Sequence, residues 1–396
     1  MKIVFLAPFG LRPKGTVIAR MIPLAAELQT LGHQVVIIAP PYTNTEDSGK
    51  TEVVRGVMVR NIAIGPKNKA LAAPALAWRM FRAALAEKPD LVHLFKPKGY
   101  GGLAGMLLLA LRQLGVRLPP LFVDTDDWEG RGGMETLHKY SLPERQLYRF
   151  QERWIPLRAA GVTVASRMLE NLIREMGVPP ERTLYLPNCV EAVPPGNGAA
   201  AREKLGIPPD APVVLLYTRF FEFAQEKLHF LFDEIYQRVP EVRFLVVGKG
   251  RNNEEALLLQ AGEQRGFAPA LVMAGWVEPA DLPNYLAAGD VAIYPFADTL
   301  VNRSKCPAKL TELLRAGVPV VADRVGQLAE YIKPEVSGIL CDPDDWREMA
   351  DRVIELLGDP LKRRTLGEAG RRYLLERFRW RDFALQLQNL YLQRKA

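Results

Sequence analysis

Residues 302–332 read NRSKCPAKLTELLRAGVPVVADRVGQLAEYI, and the order of signals in that stretch decides the fold. A basic loop with Arg303, Lys305 and Pro307 comes first. A helix-length segment follows, apolar at Leu310, Leu313, Leu314 and Ala316, and Gly317 stands where a left-handed residue would close a helix. Val318-Pro319-Val320-Val321-Ala322 is a short continuous apolar run, the pattern of a strand covered on both faces. Loop, helix start and parallel strand form an anion-binding corner of an α/β sheet, because the first helical N–H groups lack intrahelical partners and carry partial positive charge. Glu312 lies near the start of this helix, where a carboxylate is electrostatically favoured and can accept hydrogen bonds from hydroxyls. An ordinary crossover helix with a solvated Glu312 has the same spacing, so this stretch alone leaves both readings open.

Outward from it, strand-like apolar runs alternate with helical patterns along the whole chain. Strands are expected at 2–8, 34–40, 57–64, 91–95, 121–126, 162–165 and 183–186, with helices at 16–31, 70–86, 102–114 and 167–176. After a loose Val193-Pro-Pro-Gly-Asn-Gly-Ala-Ala linker a second series begins, with strands at 213–218, 243–247, 271–275, 291–294, 319–323 and 338–341. The fold class is α/β: two doubly wound, Rossmann-like domains, with ligands expected at the C-terminal ends of both sheets and hence a cleft between them. The domains are placed at 1–190 and 191–375, followed by a long helical pattern ending the chain, with 376–396 as a separate element.

A chain of 396 residues exceeds one typical core, in keeping with two domains. With 48% hydrophobic and 24% charged residues it is a globular composition. The longest apolar run, from Gly99 to Leu111, stops at Arg112 and is too short to span a bilayer. The N-terminal MKIVFLAPFG reads as a first strand rather than a signal peptide, and three scattered cysteines fit a reducing cytoplasm. Residues 1–190 hold 25 Lys and Arg against 16 Asp and Glu, a net of +9, whereas residues 191–396 hold 27 against 29, a net of −2. A basic first half points to an anionic partner such as a lipid headgroup or a phosphorylated acceptor. No nucleic-acid module accompanies it, so nucleic acid is not expected.

Several short stretches carry chemistry. Arg219 follows the strand 213–218 and Lys227 lies eight residues on, a cation pair suited to a diphosphate leaving group. Gly248-Lys249-Gly250 follows the next strand, but no acidic residue lies at a dinucleotide spacing, so a nicotinamide fold is not supported. Asp124-Thr125-Asp126-Asp127-Trp128-Glu129-Gly130 closes the strand 121–126; its carboxylates are readable as a metal pair, a base for an acceptor hydroxyl, or a solvated loop. The loop with Arg12, Lys14, Gly15 and Thr16 joins the first strand to its helix; Thr16 suits an N-cap, and the two cations either meet an anionic acceptor or are simply solvated. His93 sits inside an apolar strand, where a satisfied core histidine is the simpler reading. Trp78-Arg-Met-Phe-Arg lies on a basic, apolar helix that either packs on the sheet or lies peripherally on an anionic membrane.

Glu312-Leu-Leu-Arg-Ala-Gly-Val-Pro-Val-Val, with Val325-Gly326-Gln327 and Glu330, resembles the donor-site signature of GT-B glycosyltransferases, specifically the retaining family 4. The resemblance runs over essentially the whole chain. It implies a transferase, hexosyltransferase in type, that moves a sugar from a nucleotide-diphosphate donor, UDP- or GDP-linked, to an acceptor hydroxyl. Retention, no cofactor and no metal are implied with it. On this reading Glu312 holds the ribose, while Arg219, Lys227 and the helix start at Lys309 and Leu310 hold the diphosphate. Gly248 forms the family's glycine turn, and Gly275, Trp276 and Val277 pass the nucleobase through backbone contacts. Ser304 stands where the family usually has a second Glu, so sugar recognition falls to Asn302, Ser304, Lys305 or backbone. Gly15 and Thr16 match the glycine-rich loop of the first domain, and Asp126 or Asp127 the polar residue facing the acceptor. The acceptor itself is unassigned, lipid-linked or otherwise anionic, and the C-terminal helix is expected to return to the first domain. An inactive nucleotide-binding scaffold and a GT-B epimerase or phosphorylase are the alternatives.

Overall fold

The computed structural model describes residues 1–12, 15–65 and 69–394, with side chains at 69–71 left aside. The chain divides into two compact units. One comprises Met1–Cys189, Ser304–Cys306 and Phe378–Ala396; the other comprises Val190–Arg303 and Pro307–Arg377.

The first unit holds eight strands: β1 (Lys2–Leu6), β2 (Gln34–Ala39), β3 (Thr51–Val54), β4 (Val57–Asn61), β5 (Leu91–Phe95), β6 (Leu121–Thr125), β7 (Gly161–Val164) and β8 (Thr183–Tyr185). They form one sheet in the order β3-β4-β2-β1-β5-β6-β7-β8, parallel except for β3, which runs antiparallel to β4. In the central register Phe5 lies between Ile37 and His93. Because crossovers between parallel strands are right-handed, the β1–β2 connection and the β4-to-β7 connections, which step opposite ways along the sheet, cover opposite faces. Helix Ile22–Thr30 packs with Trp380–Arg394 on one face, and Lys69–Ala86, Gly99–Gln113 and Leu142–Arg158 pack side by side on the other.

The second unit holds β9 (Val213–Tyr217), β10 (Arg243–Val247), β11 (Leu271–Gly275), β12 (Val291–Tyr294), β13 (Val320–Asp323) and β14 (Ile339–Cys341). Its sheet is parallel throughout, in the order β11-β10-β9-β12-β13-β14. Helices Gln225–Arg238 and Trp346–Gly358 pack together over it, and Phe232 stacks on Phe244 with ring centroids 4.0 Å apart. In each sheet the strand order reverses direction beside the first strand, at β1/β5 and β9/β12. Parallel sheets leave a crevice at the C-terminal ends there.

Four elements differ from the sequence expectation. β3 is an edge strand whose two apolar residues are exposed (Val53) and half-buried (Val54), too mixed to register as a buried run. Leu142–Arg158 is a 17-residue helix that begins with a Ser141/Glu144 capping box and a proline in its first turn. The long pattern after 370 is two helices, Pro360–Arg377 and Trp380–Arg394, interrupted at Phe378 and Arg379, and only the second groups with the first unit. The basic loop at 302 is in part a short helix, Leu300–Ser304.

Candidate active site

In the second unit the site is built where β9 ends. Phe220, one residue past Arg219, is buried at φ +65, and its N–H donates to Thr218 Oγ at 2.8 Å. A bulky residue held left-handed costs conformational energy, and the turn it makes leaves Arg219 exposed at the strand end. Gly248, after β10, is at φ +119, and a Cβ there would lie 1.9 Å from the Thr218 carbonyl oxygen. Only glycine lets the two strand ends meet so closely.

Tyr217, the last residue of β9, sets its hydroxyl beside the Glu312 carboxylate. Glu312 projects from helix Ala308–Ala316, whose Gly317 closes it in the left-handed region at φ +78, as the sequence pattern indicates. Lys309 Nζ lies 5.4 Å from the centre of the Tyr217 ring. Burial pushes the Glu312 carboxyl above its ordinary range, against the pull of the Tyr217 hydroxyl and of Arg315, Lys309 and Arg219. A carboxylate ringed by three cations stays available as a hydrogen-bond acceptor while the cations lend positive potential to its surroundings. Beside it opens a cavity of about 190 Å³ lined by Glu312, Arg315, Pro279, Leu282, Leu286 and Gly196, among others. The helix start has no side-chain cap on its N–H groups, with Ala308, Lys309 and Leu310 as its first three residues. Leu310 itself is fully buried, so it offers backbone and not side chain. Trp276 is 64% exposed just past β11, with Val277 beside it half-buried.

Lys227 requires a correction. It does not join this group: its Nζ donates to both Asp323 carboxylate oxygens, at 2.7 and 2.8 Å, and to the Pro343 carbonyl at 2.9 Å. Lys227 is 4% exposed and Asp323 fully buried, and Asp323 also accepts from the Phe296 N–H at 2.7 Å. The lysine is a counter-charge inside the unit and not an open cation. Ser304 and Lys305 also depart from the donor side, because both pack with the first unit. The Ser304 carbonyl accepts from Ser166 Oγ at 2.8 Å, and buried Lys305 lowers the Asp127 carboxyl by its charge. Asn302 spends its amide on the carbonyls of Glu222 and Ala297, at 2.8 and 2.9 Å.

In the first unit the carboxylates after β6 are all engaged. Asp124 is buried and takes two hydrogen bonds from Arg20, at 2.6 and 2.9 Å, so it does not pair with Asp126 to face a metal. Lys96 bridges Asp126, at 3.0 Å, and Asp127. Like Phe220, Lys96 is a non-glycine residue in the left-handed region, at φ +60, and it directly follows β5. Burial pushes the Asp126 carboxyl up to about 6, opposed by Lys96, while Lys96 and other cations hold Asp127 below its ordinary range in spite of burial. Lys98 Nζ donates to Glu129 at 2.6 Å.

Two sequence expectations on this side change, those for Thr16 and Arg12. Thr16 has helical backbone angles and makes no side-chain cap; it precedes a five-residue π-helix, Val17–Met21, that delivers Arg20 to Asp124. Gly15 lies on the exposed bend ahead of it. Arg12 is not open to an acceptor, because it pairs with Asp47 at 2.9 Å and Glu52 at 2.8 Å; Lys14 lies outside the described residues. His93 is a core residue, its Nδ1 2.5 Å from the Tyr391 hydroxyl. The sequence reading missed Tyr217, Arg315, Arg20, Lys96 and Lys98. Two lysines flanking a proline directly after a strand, at 96–98, were the one readable signal among them.

Residues 15–189 match the Glycosyl transferase 4-like domain family, and residues 211–359 match Glycosyl transferases group 1. The chain is a group 1 glycosyltransferase. A GDP-mannose-dependent alpha-(1-6)-phosphatidylinositol monomannoside mannosyltransferase from Mycolicibacterium smegmatis is 26% identical over 373 residues, 92% of this chain and 91% of that protein. A monoacylated counterpart from Corynebacterium glutamicum is 27% identical over 200 residues, and a D-inositol 3-phosphate glycosyltransferase from Segniliparus rotundus is 28% identical over 229. In those two the match spans about half the relative's length, 51% and 48%. Among solved structures, a sucrose-phosphate synthase from Thermosynechococcus elongatus superposes with a TM-score of 0.76 at 21% identity, covering 99% of both chains. Anabaena HepE in complex with UDP and glucose superposes at 0.75 and 19%, covering 99% of this chain and 100% of that one. Those likenesses establish the GT-B fold for this glycosyltransferase.

Proposed function

We propose that this glycosyltransferase takes its sugar from a nucleoside-diphosphate donor, UDP- or GDP-linked, and transfers it to an acceptor hydroxyl with retention and without a metal ion. The observation that carries the reading is the Glu312 carboxylate on its helix, with the Tyr217 hydroxyl beside it and the charges of Arg315, Lys309 and Arg219 acting on it. A carboxylate accepts both hydroxyls of a ribose, and the neighbouring cavity takes the flat base against Pro279, Leu282 and Leu286. Arg219 and the uncapped helix start at Ala308, Lys309 and Leu310 supply positive charge for the diphosphate as the anomeric bond breaks. The diphosphate cradle is therefore assigned to Arg219 and this helix start, and Lys227 to their support. Gly248 serves by letting the two strand ends close, and Trp276 and Val277 border the base through backbone. Retention rests on the likeness to family 4.

On the acceptor side, Asp126 is the base. A carboxyl that titrates at about 6 is ionised at neutral pH yet basic enough to take a hydroxyl proton, and Lys96 holds it in place. Asp127 stays charged and orients Lys96. The relative from M. smegmatis, named for a phosphatidylinositol mannoside acceptor, supports an anionic, polyol-bearing acceptor.

The test measures nucleoside diphosphate released from UDP-glucose and from GDP-mannose, with and without EDTA. One of the two donors is expected to be used, at a rate that EDTA leaves unchanged. Arg219→Ala and Glu312→Gln should each reduce kcat/KM by roughly tenfold to several-hundredfold, the range for a lost charge-assisted bond or oxyanion donor. Activity should rise with pH through about 6, and Asp126→Asn should remove that limb. Wild-type rates in Arg219→Ala and Glu312→Gln would overturn the donor assignment.

A further inference from the structure

The helices Lys69–Ala86, Gly99–Gln113 and Leu142–Arg158 lie side by side on one face of the first sheet, and their outward surface has an unusual chemistry. On Lys69–Ala86 the exposed positions Pro74, Trp78, Arg82 and Ala86 recur every four residues, one stripe of a helix. Trp78 is 50% exposed and stacks on Phe81 with centroids 5.6 Å apart. On Leu142–Arg158 the outward stripe carries Phe150, also 50% exposed, stacked on Trp154 at 6.1 Å. The Arg158 guanidinium lies over that Trp154 ring at 4.5 Å. Between them the half-buried positions of Gly99–Gln113 after its first turn, Leu103, Met106, Leu107, Ala110 and Leu111, are all apolar.

The charge on this surface has one sign. Arg79, Arg82, Arg112, Arg153 and Arg158 are exposed, and none forms an ion pair among the described residues. The first two helices contain no carboxylate, and the third exposes only Glu144, near its start, because Glu152 is buried. Aromatic rings held outward beside unpaired arginines fit the boundary between lipid headgroups and acyl chains, where rings sit at the headgroup level and cations meet anionic lipid. Charge of a single sign spread over three helices complements a surface that is uniformly anionic across its whole extent, as a bilayer with anionic headgroups is. Among the described residues no helix is long and apolar enough to cross a membrane.

We propose that this three-helix face is a docking surface for an anionic lipid bilayer, seated by Trp78 and Phe150 and held by the surrounding arginines. It goes beyond the donor and acceptor assignments and does not depend on them.

The test is flotation of the full chain with vesicles of phosphatidylcholine alone or mixed with phosphatidylglycerol. The wild type is expected to float with the mixed vesicles, to stay behind with pure phosphatidylcholine, and to be released by raised salt. Two variants separate the components: Trp78→Ser with Phe150→Ser, and Arg82→Glu with Arg153→Glu. Each should weaken partitioning on the order of tenfold or more while leaving the melting temperature within a few degrees of wild type. Equal flotation of variants and wild type, or none of the wild type on mixed vesicles, would overturn the proposal. So would a doubling of mass with concentration in sedimentation that the aromatic variant abolishes, since that would give the face to a second copy of the chain.

Discussion

Two lysines with similar sequence settings have opposite fates. Lys309 stands beside Glu312 at the site, whereas Lys227 is used up by Asp323. A buried ammonium with a carboxylate and a carbonyl around it is neutral as a group, and breaking such a pair leaves the partner's charge unmatched. Lys227→Met should therefore destabilise the fold by about 2–4 kcal/mol, somewhat less than the usual cost because burial already pushes Asp323 up to about 6 and it can protonate. Lys227→Met combined with Asp323→Asn should recover a large part of that loss. Thermal unfolding of the two variants at pH 7 checks this. A Lys227→Met protein with wild-type melting but impaired donor binding would instead return this lysine to the diphosphate. Nothing in the sequence distinguished the two fates, because Asp323 lies 96 positions away.

At the scale of elements, the strands were the legible part. β5, β10 and β12 have the bounds that the apolar runs indicate, since a parallel strand buried on both faces has no polar side to blur its ends; β11, half-buried at the sheet edge, matches as well and is closed by Gly275 at φ +65. β3 escaped because it is an edge strand whose burial alternates between half-buried and exposed. The break between Pro360–Arg377 and Trp380–Arg394 escaped because no glycine or proline marks it. The helix bearing Glu312 was readable through Gly317, whereas Tyr217, an ordinary strand residue, gave no sign of its contact. Glycines test how far strand ends position the site. Gly317→Ala meets only ordinary van der Waals contacts, Arg371 Cδ at 3.9 Å and the Gly367 carbonyl oxygen at 4.0 Å, but must keep φ +78, and should cost about 1 kcal/mol. Gly248→Ala puts a Cβ against the Thr218 backbone, which must move and carry Arg219 with it. We expect Gly248→Ala to lose donor affinity by at least tenfold and to lower the melting temperature well beyond Gly317→Ala, as nucleotide titration and thermal unfolding would show.

For the molecule as a whole, the acceptor side carries a stability cost that pH reveals. The folded chain keeps the Asp126 proton up to about pH 6, whereas the unfolded chain releases it near 3.8. Between those values the native state binds more protons than the unfolded state, so this group's contribution to stability falls as pH rises and is fully lost above about 6. His93 acts in the opposite sense. Its pKa drops from 6.5 to about 4 because burial disfavours the charged ring, so its contribution is present above 6.5 and fades as pH falls toward 4. The two slopes oppose each other in the wild type and hide one another in a single melting curve. Asp126→Asn separates them. At pH 7 to 8 the variant should be more stable than wild type, by up to about 3 kcal/mol for a shift of roughly two units, less whatever the Lys96 contact contributes. Lys96 keeps Asp127 as its partner, so the ammonium is not left unmatched. At pH 4 the difference should shrink toward zero, because Asp126 is then protonated in the fold. Denaturant unfolding of both proteins at pH 4, 6 and 8 measures it, and a gap that is constant across the three would show that Asp126 is not held against its ionisation. A gap that opens between pH 4 and 8 makes the residue proposed to take the acceptor's proton one whose charge the fold tolerates at a cost, as sites that tune a base by burial do.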